Sequence, residues 1–271
     1  MLGKHGHQAA QEDIDNAKKI DDDSSWADVV QLALGITTMI VGIGLQTYYS
    51  IQHVQAAAYL TRRAAKIEAD LTDETSPEAV ALKAYVSSAL FSSVAFLEAL
   101  ANEIYADAIR PEGGHLSELE ERDRAMIAGL GEAEPVQKAS ILSKYDLLLR
   151  AAGKSPLPTD RDPHQATATI IRLRNEIVHY KASFFDVGTE GMVRPGSFYQ
   201  GKLPQQIKGK FEPRKSARGI SGDAWLGYGL AQWSVTSAIA YADAVFSTLG
   251  VNPYYDHVRS RLGTTENSSD A

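Results

Sequence analysis

Arg172-Leu173-Arg174-Asn175-Glu176-Ile177-Val178-His179-Tyr180-Lys181 is the stretch around which the rest of the chain falls into place. Leu173 and Ile177 are four apart, as on one face of a helix, and Ile170, Ile171 and Val178 extend the apolar side. Asp162 and Pro163 supply an N-terminal start signal for that helix. Asn175 and His179, also four apart, share a face. Arg174 and His179 are five apart, which turns them about 140° from one another around the helix axis. A long arginine reaches partway round, and one motif per chain is compatible with a second copy from a partner subunit completing the site.

These side chains suit one kind of chemistry. Histidine titrates near neutral pH and can give or take a proton. Arginine grips a phosphate through a planar fork of donors and keeps its charge. Together they fit cleavage of an RNA strand by its own 2′-hydroxyl, in which the protein moves protons and neutralises developing charge. The nucleophile belongs to the substrate, so the reaction calls for no metal. DNA, lacking that hydroxyl, should be inert. The alternative for each residue is packing alone: a histidine on an apolar helix is commonly a core or interface residue.

Outward from the motif the pattern stays helical. An amphipathic helix is expected over 46–71, with Ile51, Val54, Ala57, Leu60, Ala64, Ile67 and Leu71 as its stripe. Ser76, Pro77 and Glu78 form a cap, a first-turn proline and a dipole-matched acid for a long helix ending before Pro111. Within it, Glu98 and Asn102 lie four apart on one face. Ser117 with Glu120 reads as a capping box for a helix to about Ala128. Pro135 opens another that closes at Gly153. Residues 186–222 lose periodicity, and Asp223 is expected to open a last helix ending before Gly250. Short connections between such helices imply an all-α bundle.

The arginine, asparagine, three-residue gap and histidine resemble the signature of the HEPN superfamily, all-α proteins that are often metal-independent ribonucleases. Residues 92–105 resemble an early long helix of those domains, and the likeness covers about 77–250. The resemblance implies an HEPN-like helical bundle and a homodimer with two motifs facing each other. It also implies an endoribonuclease acting on RNA without a cofactor. Arg174 would hold the scissile phosphate, His179 would donate or accept the proton, and Asn175 would orient the histidine or the substrate. Glu98 and Asn102 would support the motif. Some members carry a tyrosine two residues after the histidine; here that position is Lys181, and Tyr180 follows His179 directly. The settings implied are phage defence, a toxin with its antitoxin or another regulatory partner, or a response to RNA damage. The alternative is a non-catalytic HEPN-like module that binds RNA or a nucleotide.

Composition frames these expectations. Net charge is −7, so RNA binding calls for a local basic patch. Lys202, Lys208, Lys210, Arg214, Lys215 and Arg218 lie against the single acid Glu212, with Phe198, Tyr199 and Phe211 interleaved. This long loop before the last helix reads as an RNA-guiding element, or as a solvated loop serving solubility. The chain has no cysteine, which fits a reducing compartment and a cytoplasmic location. Residues 1–25 read as an acidic tail, 26–75 as an apolar segment plus the amphipathic helix, 76–250 as the helical domain and 251–271 as a C-terminal tail. Residues 29–45 are apolar, and no charge falls between Asp28 and Arg62. That run is short for a span of roughly 20 residues. It reads as a buried element or as a single-pass anchor with the main domain in the cytoplasm. No glycine-rich phosphate loop, H-E-x-x-H or G-x-S-x-G is present.

Overall fold

Helix α2, Pro77–Ala108, is the central helix of the described bundle, and its start follows from three adjacent residues. Ser76 accepts the Ala79 N–H at 3.3 Å, Pro77 occupies the first turn, and Glu78 sets a negative charge against the helix dipole. Apolar residues surround much of α2, and neighbours cover them: Leu82, Leu90, Phe96, Leu97, Leu100 and Ile104 are fully buried. Burying each such side chain contributes about 1.5–3 kcal/mol.

The computed structural model describes residues 47–109, 114–179, 203–214 and 224–265. Among them every regular element is a helix, so the all-α expectation holds. Helix α1 is Tyr49–Asp70, and α3 is Glu121–Gly131. The four-residue α4, Glu134–Gln137, precedes α5, Ile141–Ala151, and the motif helix α6 is His164–Val178. A short α7, Leu203–Ile207, leads to α8, Tyr228–Leu249, and a 3-10 helix closes the fold at Tyr254–Arg261.

The amphipathic helix α1 lies along α2, and α8 packs on both. Glu68, near the end of α1, accepts the Tyr228 N–H at the start of α8, a carboxylate at a helix N-terminus. Aromatic rings tie the remaining layers: Tyr145 of α5 meets Tyr241 of α8 edge-on, and Tyr255 meets Phe96. Tyr255, Val258 and Leu262 are buried, so the segment after Gly250 contributes to the core. At Gly250 the chain turns left-handed with φ of 80°, which closes α8 where the sequence places its end.

Several boundaries differ from the sequence reading. The stretch from Pro135 to Gly153 divides at Ser140, whose hydroxyl accepts the Ser143 N–H and starts α5 afresh. Ser117 and Glu120 form no capping box; Leu116 and Leu119 are buried in turns, and α3 begins at Glu121. The last helix begins at Tyr228, and Asp223 lies outside the described residues. So do the tail 1–25, the apolar run 29–45 and residues 266–271. One described helix, α2, is long and apolar enough to cross a membrane. Its apolar residues build the bundle's own core.

Candidate functional site

The motif helix α6 starts where Asp162 accepts the Ala166 N–H at 3.1 Å, and it turns Ile170 and Leu173 into the core. That fixes which residues face outward. Asn175 and His179 are exposed, and the backbone bonds them directly, His179 N–H to Asn175 C=O at 2.8 Å. Helix α6 ends at Val178, so His179 is its C-cap, with φ of −101° and ψ of 31°. The imidazole therefore sits at the mouth of a helix end. Val178, beside it, is an exposed apolar side chain.

Arg174 is half-buried on the side of α6 that meets α2. Its Nη2 stands 3.8 Å from Glu98 Oε2, near enough for charge attraction and too far for a hydrogen bond. Its Nε is buried with no acceptor. The side chain is 27% exposed and, among the described residues, makes no closer polar contact than the one to Glu98, so the terminal N–H groups, not the enclosed Nε, are the donors an anion could meet. Glu98, expected to support the motif, thus lies against the arginine. Asn102, one turn further along α2, instead accepts from Lys144 Nζ at 2.7 Å. Tyr180 lies outside the described residues.

The basic residues of the loop separate. Lys208 is exposed, and Lys210 bonds Asp162 at 3.1 Å. Lys210 also lines a pocket of about 270 Å³ with His164, Arg172 and Gln206, where Arg172 donates to Gln206 at 2.8 Å. Arg214 does not belong to a surface patch. Its side chain is fully enclosed, and Nη1 holds Glu74 at 3.0 Å. Burial against a carboxylate makes it a tie between the loop and the start of α2, and it offers no donor at the surface. Lys202, Lys215, Arg218, Phe198 and Tyr199 lie outside the described residues. A groove of about 1520 Å³ runs past Glu68, Phe211, Tyr228 and Trp233 and includes none of the motif residues.

A second polar cluster escapes the sequence reading. His115 is 1% exposed, and its Nε2 is 3.3 Å from Glu103 Oε2. Glu103 also accepts the Ser50 N–H at 2.9 Å and the Ser50 hydroxyl. Asp107 accepts the His115 N–H at 2.7 Å and the Tyr48 hydroxyl at 3.1 Å. Burial by itself would raise the Glu103 carboxyl, but the bonds from His115 and Ser50 hold it below its ordinary value. Serine, histidine and carboxylate are all present, yet serine and histidine both bond the carboxylate. A nucleophilic hydroxyl needs the imidazole itself as its partner. The cluster joins the start of α1 to the far half of α2. His115 lies 65 residues beyond Ser50 in the sequence, and no local spacing signals that meeting.

Among the described residues no cluster of three or more histidine, aspartate or glutamate side chains could hold a metal ion. No family model, no curated protein and no solved structure matches this chain.

Proposed function

We propose that the protein is an HEPN-like endoribonuclease, acting on RNA as a homodimer through Arg174, Asn175 and His179. The observation that carries this reading is the state of Arg174: its side chain is 27% exposed, and the nearest carboxylate, Glu98, stands 3.8 Å from its Nη2, beyond hydrogen-bond distance. Such an arginine is held in place with donors to spare, which is what gripping a phosphate requires. His179, exposed at the C-terminal end of the same helix, is open to a substrate proton.

In this reading the ribose 2′-oxygen attacks the adjacent phosphorus and the 5′-oxygen of the next nucleotide leaves. One proton is removed from the 2′-hydroxyl and one is delivered to the leaving oxygen. Arg174 offsets charge on the phosphoryl oxygens, and His179 transfers one of those protons. Products carry a 2′,3′-cyclic phosphate or the 3′-phosphate formed by its hydrolysis. The turn of about 140° between the two side chains favours a site shared by two protomers. Val178, exposed beside His179, gives the approaching subunit an apolar contact. Lys208 and Lys210 would draw the strand toward the motif helix. The setting that suits such an activity is the cytoplasm, with phage defence or a toxin and its restraining antitoxin as the roles the motif suggests.

The same angular separation also favours a second reading, in which Arg174 alone holds a phosphate-bearing ligand and no cleavage follows. Incubating the purified chain with total RNA, with and without EDTA, separates the two. Cleavage is expected in both conditions, and His179→Ala should lower it by about 10²–10⁴-fold. Equal activity in wild type, His179→Ala and Arg174→Ala would overturn the catalytic assignment. RNA retention by Arg174-dependent binding without cleavage would establish the second reading.

A further inference from the structure

Lys144 of α5 is 7% exposed, an unusual place for an ammonium. Its Nζ donates to Asn102 Oδ1 at 2.7 Å, and among the described residues no carboxylate pairs with it. A neutral amide oxygen satisfies one of three donors and balances no charge. The bond to Asn102 is only partly buried, and Asn102 itself is exposed, so the ammonium lies at the edge of the surface.

The backbone around this lysine is fixed from two sides. The Tyr105 hydroxyl of α2 donates to the Lys144 C=O at 2.8 Å, and the Tyr145 hydroxyl donates to the Leu97 C=O at 2.7 Å. Asn102 lies one turn beyond Glu98 on α2, so the two share a face about 6 Å apart along the axis. Arg174 approaches that face at Glu98, and Lys144 approaches it at Asn102. Three helices therefore bring two cations to one side of α2, each with hydrogen-bonding capacity unused.

We propose that Lys144 is a second phosphate contact of the same site: Arg174 takes the scissile phosphate and Lys144 takes a neighbouring phosphate of the same RNA strand. The inference rests on the ribonuclease reading of Arg174. Asn102 is the positioning residue, holding the ammonium toward the strand without neutralising it. A carboxylate there would cancel the charge that the strand needs, which gives the amide a physical reason to be an amide.

The test uses the full chain and a 2′-O-methyl oligoribonucleotide, whose blocked 2′-oxygen prevents cleavage, with binding followed across a salt series. Each phosphate contact on a single strand contributes about 0.7 to the slope of log affinity against log salt. Lys144→Gln is expected to lower the slope by about 0.7. Asn102→Asp, at an exposed position, should lower it similarly by pairing the ammonium with a carboxylate. Ala106→Asp, also exposed and one turn further along α2, should leave the slope near the wild-type value. Should Lys144→Gln fail to fold, as judged by its urea transition, Asn102→Asp against Ala106→Asp decides. An unchanged slope in the Lys144 and Asn102 variants, with a slope still lowered by Arg174→Ala, would overturn this inference and leave the ribonuclease reading intact. An equal drop with Ala106→Asp would also overturn it, as general repulsion. Absence of wild-type binding would overturn both.

Discussion

The Glu98 carboxylate stands 3.8 Å from the Arg174 guanidinium, joining the middle of α2 to the last turn of α6. The gap exceeds a hydrogen bond, so Glu98 orients the arginine through charge without occupying its donors. Glu98 is exposed and Arg174 is partly so, and a pair of this kind contributes little to stability. Its consequence lies in where the guanidinium points.

Glu98→Gln should therefore leave the urea midpoint close to wild type and lower RNA cleavage. Loss of the orienting charge is expected to cost on the order of 10- to 100-fold, the scale on which small misplacements reduce rates. Arg174→Lys keeps the charge and loses the fork, and should fall at least as far. Wild-type cleavage by Glu98→Gln would show that the carboxylate is a bystander.

Arg214 and Lys208 stand close together in sequence and are expected to behave oppositely. Arg214 is enclosed and paired with Glu74, so Arg214→Ala leaves a carboxylate without its cation and should cost about 3 kcal/mol. Lys208→Ala, at an exposed position, should change stability by less than about 0.5 kcal/mol. In the salt series Lys208→Ala lowers the slope if it touches phosphate. Urea denaturation of the two variants checks the contrast, and equal midpoints would refute the buried-tie assignment.

Two left-handed glycines separate backbone strain from crowding. Gly114 has φ of 83°, and a Cβ there would meet Asp107 Oδ2 at 2.3 Å and the Tyr48 hydroxyl at 2.6 Å. Gly153 has φ of 67° with open space around it. Gly153→Ala should cost about 1–2 kcal/mol, the left-handed penalty alone. Gly114→Ala adds displacement of Asp107 from His115 and Tyr48, and should cost about 2–4 kcal/mol. Equal losses would mean that Asp107 moves aside freely.

Much of the helical scaffold can be read from local pattern, because start and stop signals are local. Ser76-Pro77-Glu78 begins α2 and Gly250 ends α8 through bonds made within a few residues. The spacing of Ile170 and Leu173 already assigns the inner face of α6, leaving Asn175 outward. What escapes is convergence between distant segments. Arg214 in a basic run reads as surface, and its burial depends on Glu74, far away in the chain. Lys144 is an unremarkable lysine until Asn102, Tyr105 and Tyr145 fix it beside the Arg174 face. Ser140 is a helix start only because Lys138 and Ala139 sit in a turn, and residue preference there does not differ from helix.

The acid limb of stability should carry the signature of Glu103. Its carboxyl lies below its ordinary value because the bonds from His115 and Ser50 outweigh the effect of burial. The unfolded chain, with a glutamate near its usual pKa of about 4.3, then binds more protons than the folded one as pH falls through that region. The stabilisation is complete above the unfolded value and is lost progressively as pH drops toward the folded one. Asp73 is lowered as well, chiefly by the Thr75 N–H and then its hydroxyl, and it acts in the same direction. The comparison must therefore be a difference. Glu103→Gln cannot ionise, so it should be less stable than wild type at neutral pH, and the gap should narrow as pH falls below about 4. Urea midpoints measured on both proteins from neutral pH downward test this, with Asp73 cancelling between them. A gap that stays constant across the acid range would mean that the Glu103 carboxylate gains nothing from His115 and Ser50 on folding.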